Sequence, residues 1–191
     1  MRPPNNCSKQ LIYPVTLGLR QPRHIDELLN YRLLRLYALS GAPVIRLLEG
    51  RYGISRREWR LLALLALHGE LSPSALAEHA HLDRPRASRG VQVLVDKQLA
   101  LRMALAGDAR RARVSLTAAG QTLYDEVFPQ IAAINQQVVS VLGDDVVAAL
   151  DTALAQLTTH AEAVNQQVLR DLRADRQAGA AAKPRRWPQV D

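Results

Sequence analysis

The sequence predicts a mainly α-helical protein, built as a winged helix-turn-helix with a two-stranded wing and a helical base formed by the N- and C-terminal helices. Apolar residues recur at three- and four-residue spacing through most of the chain, which indicates amphipathic helices. In the middle, two helix starts follow each other closely, and two short apolar segments flank a Gly-Asp turn directly afterwards. Helices joined by a tight turn and followed by a hairpin are the elements of this fold.

The chain divides into five segments by composition and periodicity. The first is irregular and proline-rich, the last is rich in Ala, Arg and Pro, and the three between them carry the helical and hairpin patterns. We predict a flexible N-terminal arm (1–23), N-terminal dimerisation helices (24–54), a DNA-binding winged helix-turn-helix (55–117), C-terminal dimerisation helices (118–173) and a disordered basic tail (174–191).

The helix-turn-helix begins at Ser72-Pro73, where a Ser N-cap precedes a proline that needs no N–H partner. Asp83 is the N-cap of the second helix, which we expect to end at about Leu99. Its polar residues fall largely off the apolar face, within the first turns, where a recognition helix presents groups to the major groove. We predict DNA contacts from Arg84, Pro85, Arg86, Ser88, Arg89 and Gln92.

The wing follows as two strands, 99–105 and 113–116, joined by a loop over 106–111. Arg110 and Arg111 make this loop a basic tip, and arginine is attracted into the minor groove by its negative potential. For Arg113, pairing with Asp96 or Asp108 is the alternative to a DNA contact.

These motifs resemble the MarR family of winged-helix regulators. The resemblance rests on Asp83-Arg84, Ser88-Arg89 and Leu94, then Asp108-x-Arg110 and Leu116-Thr117-x-x-Gly120, and it extends over roughly residues 25 to 170. It implies that Arg110 reaches the minor groove while Asp108 steadies a nearby arginine. The chain departs from the family pattern at Gln98, where glycine often follows the lysine, and carries Gly90 inside the recognition helix.

Charge is distributed unevenly along the chain. The net charge is +7; segment 72–117 carries eight basic and four acidic residues, whereas segment 118–169 carries six acidic residues and no Lys or Arg. A solvated charged surface is the alternative explanation for such arginines. Because they cluster in both the recognition helix and the wing, we expect local contact with phosphates and a steep dependence of binding on salt.

The flanking helices expose more apolar surface than the small winged unit can cover. We predict a helix from Ile25 that Gly41-Ala42-Pro43 stops, and a second from Pro43 to Tyr52. A third helix starts at the capping box of Ser55 and Glu58, with Trp59, Leu62, Ala63 and Ala66 as its buried stripe. Two long helices follow the wing. A homodimer accounts for these apolar faces, and the family resemblance implies the same.

Other chemistry is not indicated by the sequence. It contains no P-loop, G-x-G-x-x-G, H-E-x-x-H or G-x-S-x-G motif, so we expect no enzyme and no cofactor. The zinc-type residues His79, His81 and Asp83 straddle a turn and a helix cap, and we expect no metal there. A lone Cys7 and the lack of a long apolar run favour a cytoplasmic protein without membrane spans.

An effector site is implied by the resemblance, since family members commonly bind small anionic aromatics between the dimer base and the winged unit. An arginine fork suits a carboxylate and an aromatic side chain suits a ring. We expect a hydroxybenzoate, hydroxycinnamate or hydroxynicotinate type of ligand, contacted by Tyr31, Arg35, Tyr37, Ser40 and Arg60. The alternative for each residue is a place at a core edge or subunit interface.

The function predicted from these features is transcriptional regulation by sequence-specific binding to double-stranded DNA, as a ligand-responsive repressor at a pseudo-palindromic operator. The alternative is a small-molecule-binding or protein-interaction module whose winged helix has lost DNA binding.

Overall fold

The computed structural model describes residues 18–105 and 108–171, with side chains described for all of these except 104, 105, 108–111 and 169–171. The predicted arm up to residue 17, including Cys7, and the predicted tail from residue 174 lie outside the described residues. The chain forms two compact units, one ending at Ala42 and the other beginning at Pro43.

The helices and strands follow the predicted order. A short 3₁₀-helix, Ile25–Glu27, precedes six α-helices and one hairpin within the described residues. The elements are α1 (Leu29–Arg51), α2 (Arg56–His68), α3 (Pro73–His79), α4 (Arg84–Asp96), β1 (Ala100–Leu105), β2 (Asp108–Leu116), α5 (Ala118–Val139) and α6 (Asp144–Asp171).

The predicted break at Gly41-Ala42-Pro43 is wrong, because α1 continues through Pro43 as one helix. Proline lacks a backbone N–H and therefore leaves the helix one hydrogen bond short. The three- and four-residue spacing of apolar side chains continues past this point, with Val44 half-buried and Leu48 fully buried, so packing maintains the helix. The predicted start of this helix at Ile25 also differs from the structure. Residues Ile25–Glu27 form a 3₁₀-helix, and α1 begins at Leu29.

The core of the second unit lies among α2, α3, α4 and the hairpin. Leu61, Leu62 and Leu65 of α2 are buried there against α3 and α4. The predicted stripe of α2 was therefore shifted: Leu62 is correct, but Trp59, Ala63 and Ala66 are only half-buried. A second cluster, formed by Leu48, Ile54 and Val127, joins the end of α1 to α5, and Trp59 packs against both clusters.

The hairpin has antiparallel register, with Ala100 opposite Leu116 and Met103 opposite Arg113, and an irregularity between Met103 and Leu105. Its inner strand β2 also pairs with Leu71, through hydrogen bonds of 3.0 and 2.8 Å between the backbones of Leu71 and Val114. This third pairing fixes the hairpin to the segment that joins α2 and α3.

The Thr-x-x-Gly motif connects the hairpin to α5. Thr117 Oγ1 accepts a 3.0 Å hydrogen bond from the N–H of Gly120 and donates one of 2.7 Å to the carbonyl oxygen of Gln98. A Cβ atom at Gly120 would overlap the carbonyl oxygen of Leu99. Glycine is therefore needed here for the close approach of two backbones rather than for a special φ angle.

We expect Gly120→Ala to lower the free energy of unfolding by about 3 kcal/mol, since backbone has to move to admit the methyl group. Gly50→Ala is the matched control, because Gly50 lies in α1 with nothing within 4 Å of its added Cβ. Alanine there should be neutral or stabilise by up to about 1 kcal/mol. Urea unfolding followed by circular dichroism measures both; equal stability of the two variants would contradict the assigned contact.

Candidate DNA-binding surface

The recognition helix α4 begins at Asp83 as predicted. The Asp83 carboxylate accepts a 2.8 Å hydrogen bond from the N–H of Arg86, and its other oxygen lies 3.3 Å from Arg86 Nε. Asp83 thus satisfies a free N–H at the helix start and also holds the Arg86 side chain. The helix ends at Asp96, three residues before the predicted end, because Gln98 adopts a positive φ angle.

The six residues predicted to contact DNA in α4 are all exposed. The opposite face is buried and consists of Ala87, Gly90, Val91 and Leu94. Within the described residues, the side chains of Arg84 and Arg89 make no hydrogen bond or ion pair, whereas Gln92 donates to Asp96 at 2.8 Å. Arg84 and Arg89 are therefore available to bind DNA, whereas the Arg86 side chain is held by Asp83. The exposed set is Arg84, Pro85, Arg86, Ser88, Arg89 and Gln92.

Gly90 allows α4 to lie close to α2. A Cβ atom at Gly90 would stand 2.5 Å from Leu61 Cδ1, which is nearer than a methyl group can approach. Leu61 is fully buried, so the contact is part of the core. The glycine that costs helix propensity thus permits close packing of the recognition helix.

Lys97 fixes the other end of α4, a contact that the sequence analysis did not predict. Its Nζ donates to Glu58 Oε2 at 2.6 Å and to the carbonyl oxygen of Gly53 at 2.7 Å. Partial burial raises the pKa of Glu58, but hydrogen bonds from Lys97 and Ser55 outweigh it and hold the pKa below its usual value. The Ser55–Glu58 capping box was predicted; nothing in the sequence spacing indicated that Lys97 reaches it.

Two residues other than glycine have positive φ angles among the described residues, and they lie on either side of α4. His81, in the turn before the helix, has φ 52°, and Gln98, directly after Lys97, has φ 60°. These left-handed conformations are uncommon for residues with a Cβ atom. Gln98 stands where the family pattern often has glycine, and its backbone adopts the positive φ angle that glycine favours.

The hairpin differs from prediction at its tip. Strand β2 begins at Asp108, so Arg110 and Arg111 lie in the strand and not in a connecting loop. The loop residues 106–107, and the side chains of Asp108, Arg110 and Arg111, lie outside the described residues. Arg113 does not pair with Asp96, one of the two partners suggested by the sequence. Its Nε lies 3.8 Å from Oε1 of Glu70, which precedes the residue that pairs with β2, Leu71.

The predicted effector residues are distributed over both units. Tyr31, Arg35, Tyr37 and Ser40 lie on the part of α1 in the first unit, where both tyrosines are exposed and Ser40 Oγ donates to the carbonyl oxygen of Leu36. Arg60 lies on α2 in the second unit and donates to the carbonyl oxygen of Ala80 at 3.1 Å.

A ladder of aromatic rings, absent from the sequence predictions, lies between α2 and α5. The ring of Tyr124 stacks on Trp59, with centroids 5.7 Å apart, and on Phe128, with centroids 5.3 Å apart. Phe128 is 49% exposed, so one end of the ladder reaches the surface. The spacing of Tyr124 and Phe128 by one helical turn was the only indication in the sequence.

His79 stacks on His68, with ring centroids 4.3 Å apart. Among the described residues no three His, Cys, Asp or Glu side chains form a group suited to a metal ion. In that same part of the chain, no helix combines the length and apolar character needed to cross a membrane.

An exposed basic helix start, set on a helix-turn-helix and followed by a two-stranded wing, defines a winged-helix protein that binds double-stranded DNA. Comparison with known proteins agrees with this class. The MarR family model matches residues 52–111. The HTH-type transcriptional regulator FarR of Neisseria gonorrhoeae is 30% identical over 112 residues, which cover 59% of this chain and 77% of FarR.

Solved structures show the same fold. A MarR family transcriptional regulator from Silicibacter pomeroyi superposes with a TM-score of 0.64 and 25% identity, covering 76% of this chain and 97% of that one. The structure of NadR in complex with 4-hydroxyphenylacetate superposes with a TM-score of 0.60 and 28% identity. The alignment covers 72% of this chain and 95% of NadR.

The chain belongs to the MarR family of winged helix-turn-helix, DNA-binding transcriptional regulators. The family resemblance and the fold class predicted from the sequence are confirmed, and the family is not one of enzymes.

Proposed function

We propose that this protein is a ligand-responsive repressor that binds a pseudo-palindromic operator as a homodimer in the cytoplasm. The observation that carries the proposal is the exposed start of α4, where Arg84 and Arg89 have no partner in the described part of the chain and face away from a buried helix side. Such arginines can bind guanine O6 and N7 in the major groove.

The wing extends this surface in the proposal. Arg110 enters the adjacent minor groove, Asp108 steadies a nearby arginine, and Arg111 contributes charge. The family resemblance supports these roles, and so does the position of all three in a strand that is fixed to the core at Val114. Segment 118–169 carries six acidic residues and no Lys or Arg, so its net negative charge repels the phosphates of DNA.

The proposed dimer follows from apolar surface left open on helices in each unit. On α1 of the first unit, Leu34 is 60% exposed and Leu39 is 68% exposed. In the second unit, one side of α6 exposes apolar residues at three- and four-residue spacing, namely Val146, Leu150, Leu154, Leu157, Ala161, Val164 and Val168. A second copy of the chain would remove these stripes from water, and twofold symmetry would set half-sites about 34 Å apart.

The proposed effector is a small aromatic carboxylate. The relative NadR was crystallised with 4-hydroxyphenylacetate, which belongs to the chemical class expected from the resemblance. The proposed contacts are those expected from the sequence, namely Tyr31, Arg35, Tyr37, Ser40 and Arg60. An effector that prefers a conformation unable to bind DNA would lower operator occupancy in proportion to its differential affinity.

The first test replaces single arginines on the proposed surface. Arg89→Ala and Arg110→Ala should each weaken binding to the protein's own upstream DNA by about 1–3 kcal/mol, as lost base or groove contacts do. Arg46→Ala, an exposed position on α1, is the charge-matched control and should bind as the wild type does. Fluorescence anisotropy titrations measure all three. Wild-type affinity in both test variants would contradict the assigned surface.

The second test concerns the dimer. Leu157→Glu places a charge in the apolar stripe of α6 and should shift the protein from dimer to monomer in sedimentation velocity at micromolar concentration. Thr159→Glu adds the same charge on another side of the helix, so it should remain dimeric. A wild-type monomer would refute the architecture, and a dimeric Leu157→Glu would exclude this stripe from the interface.

The third test is a thermal-shift screen with 4-hydroxyphenylacetate, hydroxybenzoates, hydroxycinnamates and hydroxynicotinates. A true effector should raise the melting temperature, because it binds only the folded state, and should release DNA in the anisotropy assay. Arg35→Ala, at an exposed position on α1, should reduce the shift without changing DNA affinity in the absence of ligand. An acid that stabilises the protein but leaves DNA bound would contradict the proposed response.

A further inference from the structure

The amino group of Lys97 joins three segments of the second unit at the C-terminal end of the recognition helix. It donates to Glu58 Oε2 in the first turn of α2 and to the carbonyl oxygen of Gly53 in the loop between α1 and α2. Glu58 Oε2 also accepts a 3.2 Å hydrogen bond from the N–H of Ser55. One carboxylate and one carbonyl oxygen therefore hold Lys97, the residue directly after the last residue of α4.

Gly90 and Lys97 are two points at which α4 contacts other elements of the second unit. At Gly90 the helix touches Leu61 closely, so this contact can act as a pivot. Gly90 lies six residues from Arg84, about 9 Å along the axis, so a rocking of about 10° would move the helix start by about 1.6 Å. Hydrogen bonds to base edges do not survive such a displacement. The contacts of Lys97 oppose this rocking from the other side of the pivot.

We propose that Lys97 is a positioning residue for sequence-specific DNA binding, which acts through the direction of α4 and does not touch DNA. The inference rests on the proposed sequence-specific function. The Glu58 side chain is only 14% exposed and that of Lys97 is 36% exposed, so the pair is more sheltered than the arginines of the helix start. Its two charges offset each other and contribute little to non-specific attraction of phosphates.

Three hypotheses predict different effects of Lys97→Met, which keeps the apolar stem but removes the donor. A positioning role predicts a loss of discrimination between DNA sequences. A direct phosphate contact predicts a nearly uniform loss across sequences and a smaller salt slope. A role in stability alone predicts the same fractional loss on every duplex, because only the amount of folded protein changes.

The experiment uses the full-length protein and two probes: a duplex enriched by the wild type from a random library, and poly(dI-dC). Lys97→Met should bind the enriched duplex about tenfold more weakly and poly(dI-dC) less than about twofold more weakly, with the slope of log K against log salt unchanged. Circular dichroism at the assay temperature confirms that each variant is folded.

The matched control is the double variant Glu58→Gln with Lys97→Met, which has the same net charge as the wild type. It should lose discrimination as Lys97→Met does, because the amide has no ammonium partner. Wild-type discrimination in the double variant would overturn the proposal and assign the effect of the single variant to an unpaired carboxylate.

Two other results would also overturn the proposal. A salt slope smaller by about one, with comparable losses on both probes, would place Lys97 on a phosphate. Equal losses with an unchanged slope would leave it a role in stability only. Failure of the wild type to enrich any sequence is a distinct result, since it would contradict the proposed sequence-specific function itself.

Discussion

The close contact between α2 and α4 is the constraint on which the DNA-binding surface depends. Gly90 lets the recognition helix approach Leu61 more closely than any residue with a side chain would allow. Because the inner face of α4 is buried by this contact, its polar residues have only the solvent side available. The same packing that stabilises the domain therefore displays Arg84 and Arg89 together on the exposed face of the helix.

Different interactions define the two ends of α4. At the start, Asp83 accepts from a helix N–H and from the Arg86 side chain, so the cap also orders part of the basic surface. At the end, Lys97 contacts the capping box of α2, and Gln98 turns the chain with a positive φ angle. Thr117 then bonds to the carbonyl oxygen of Gln98, which links the exit of the recognition helix to the start of α5.

The sequence predicted what short-range rules determine and missed what depends on tertiary packing. Caps at Ser55, Ser72, Asp83 and Thr117 could be predicted because each needs only a side chain and an N–H three residues later. The continuation of α1 through Pro43 could not be predicted, because the burial of residues such as Leu48 outweighs the helix-breaking effect of proline. The Lys97–Glu58 pair joins residues far apart in sequence, so no spacing rule indicates it. The effector residues and the wing contacts remain predictions.

The contacts at Leu61 and Lys97 hold the recognition helix in place before DNA binds. Hydrogen exchange of the α4 amides, measured with and without an enriched duplex, tests this most directly. If packing against Leu61 and the contacts of Lys97 preorganise the helix, amides from Val91 to Leu94 exchange in the free protein only through global unfolding, as slowly as the buried amides of α2. DNA then slows the exchange of both helices by the same factor, because it stabilises the whole folded domain. Rapid exchange in the free protein, with strong protection only on DNA, would contradict the account, because DNA itself would then order the helix.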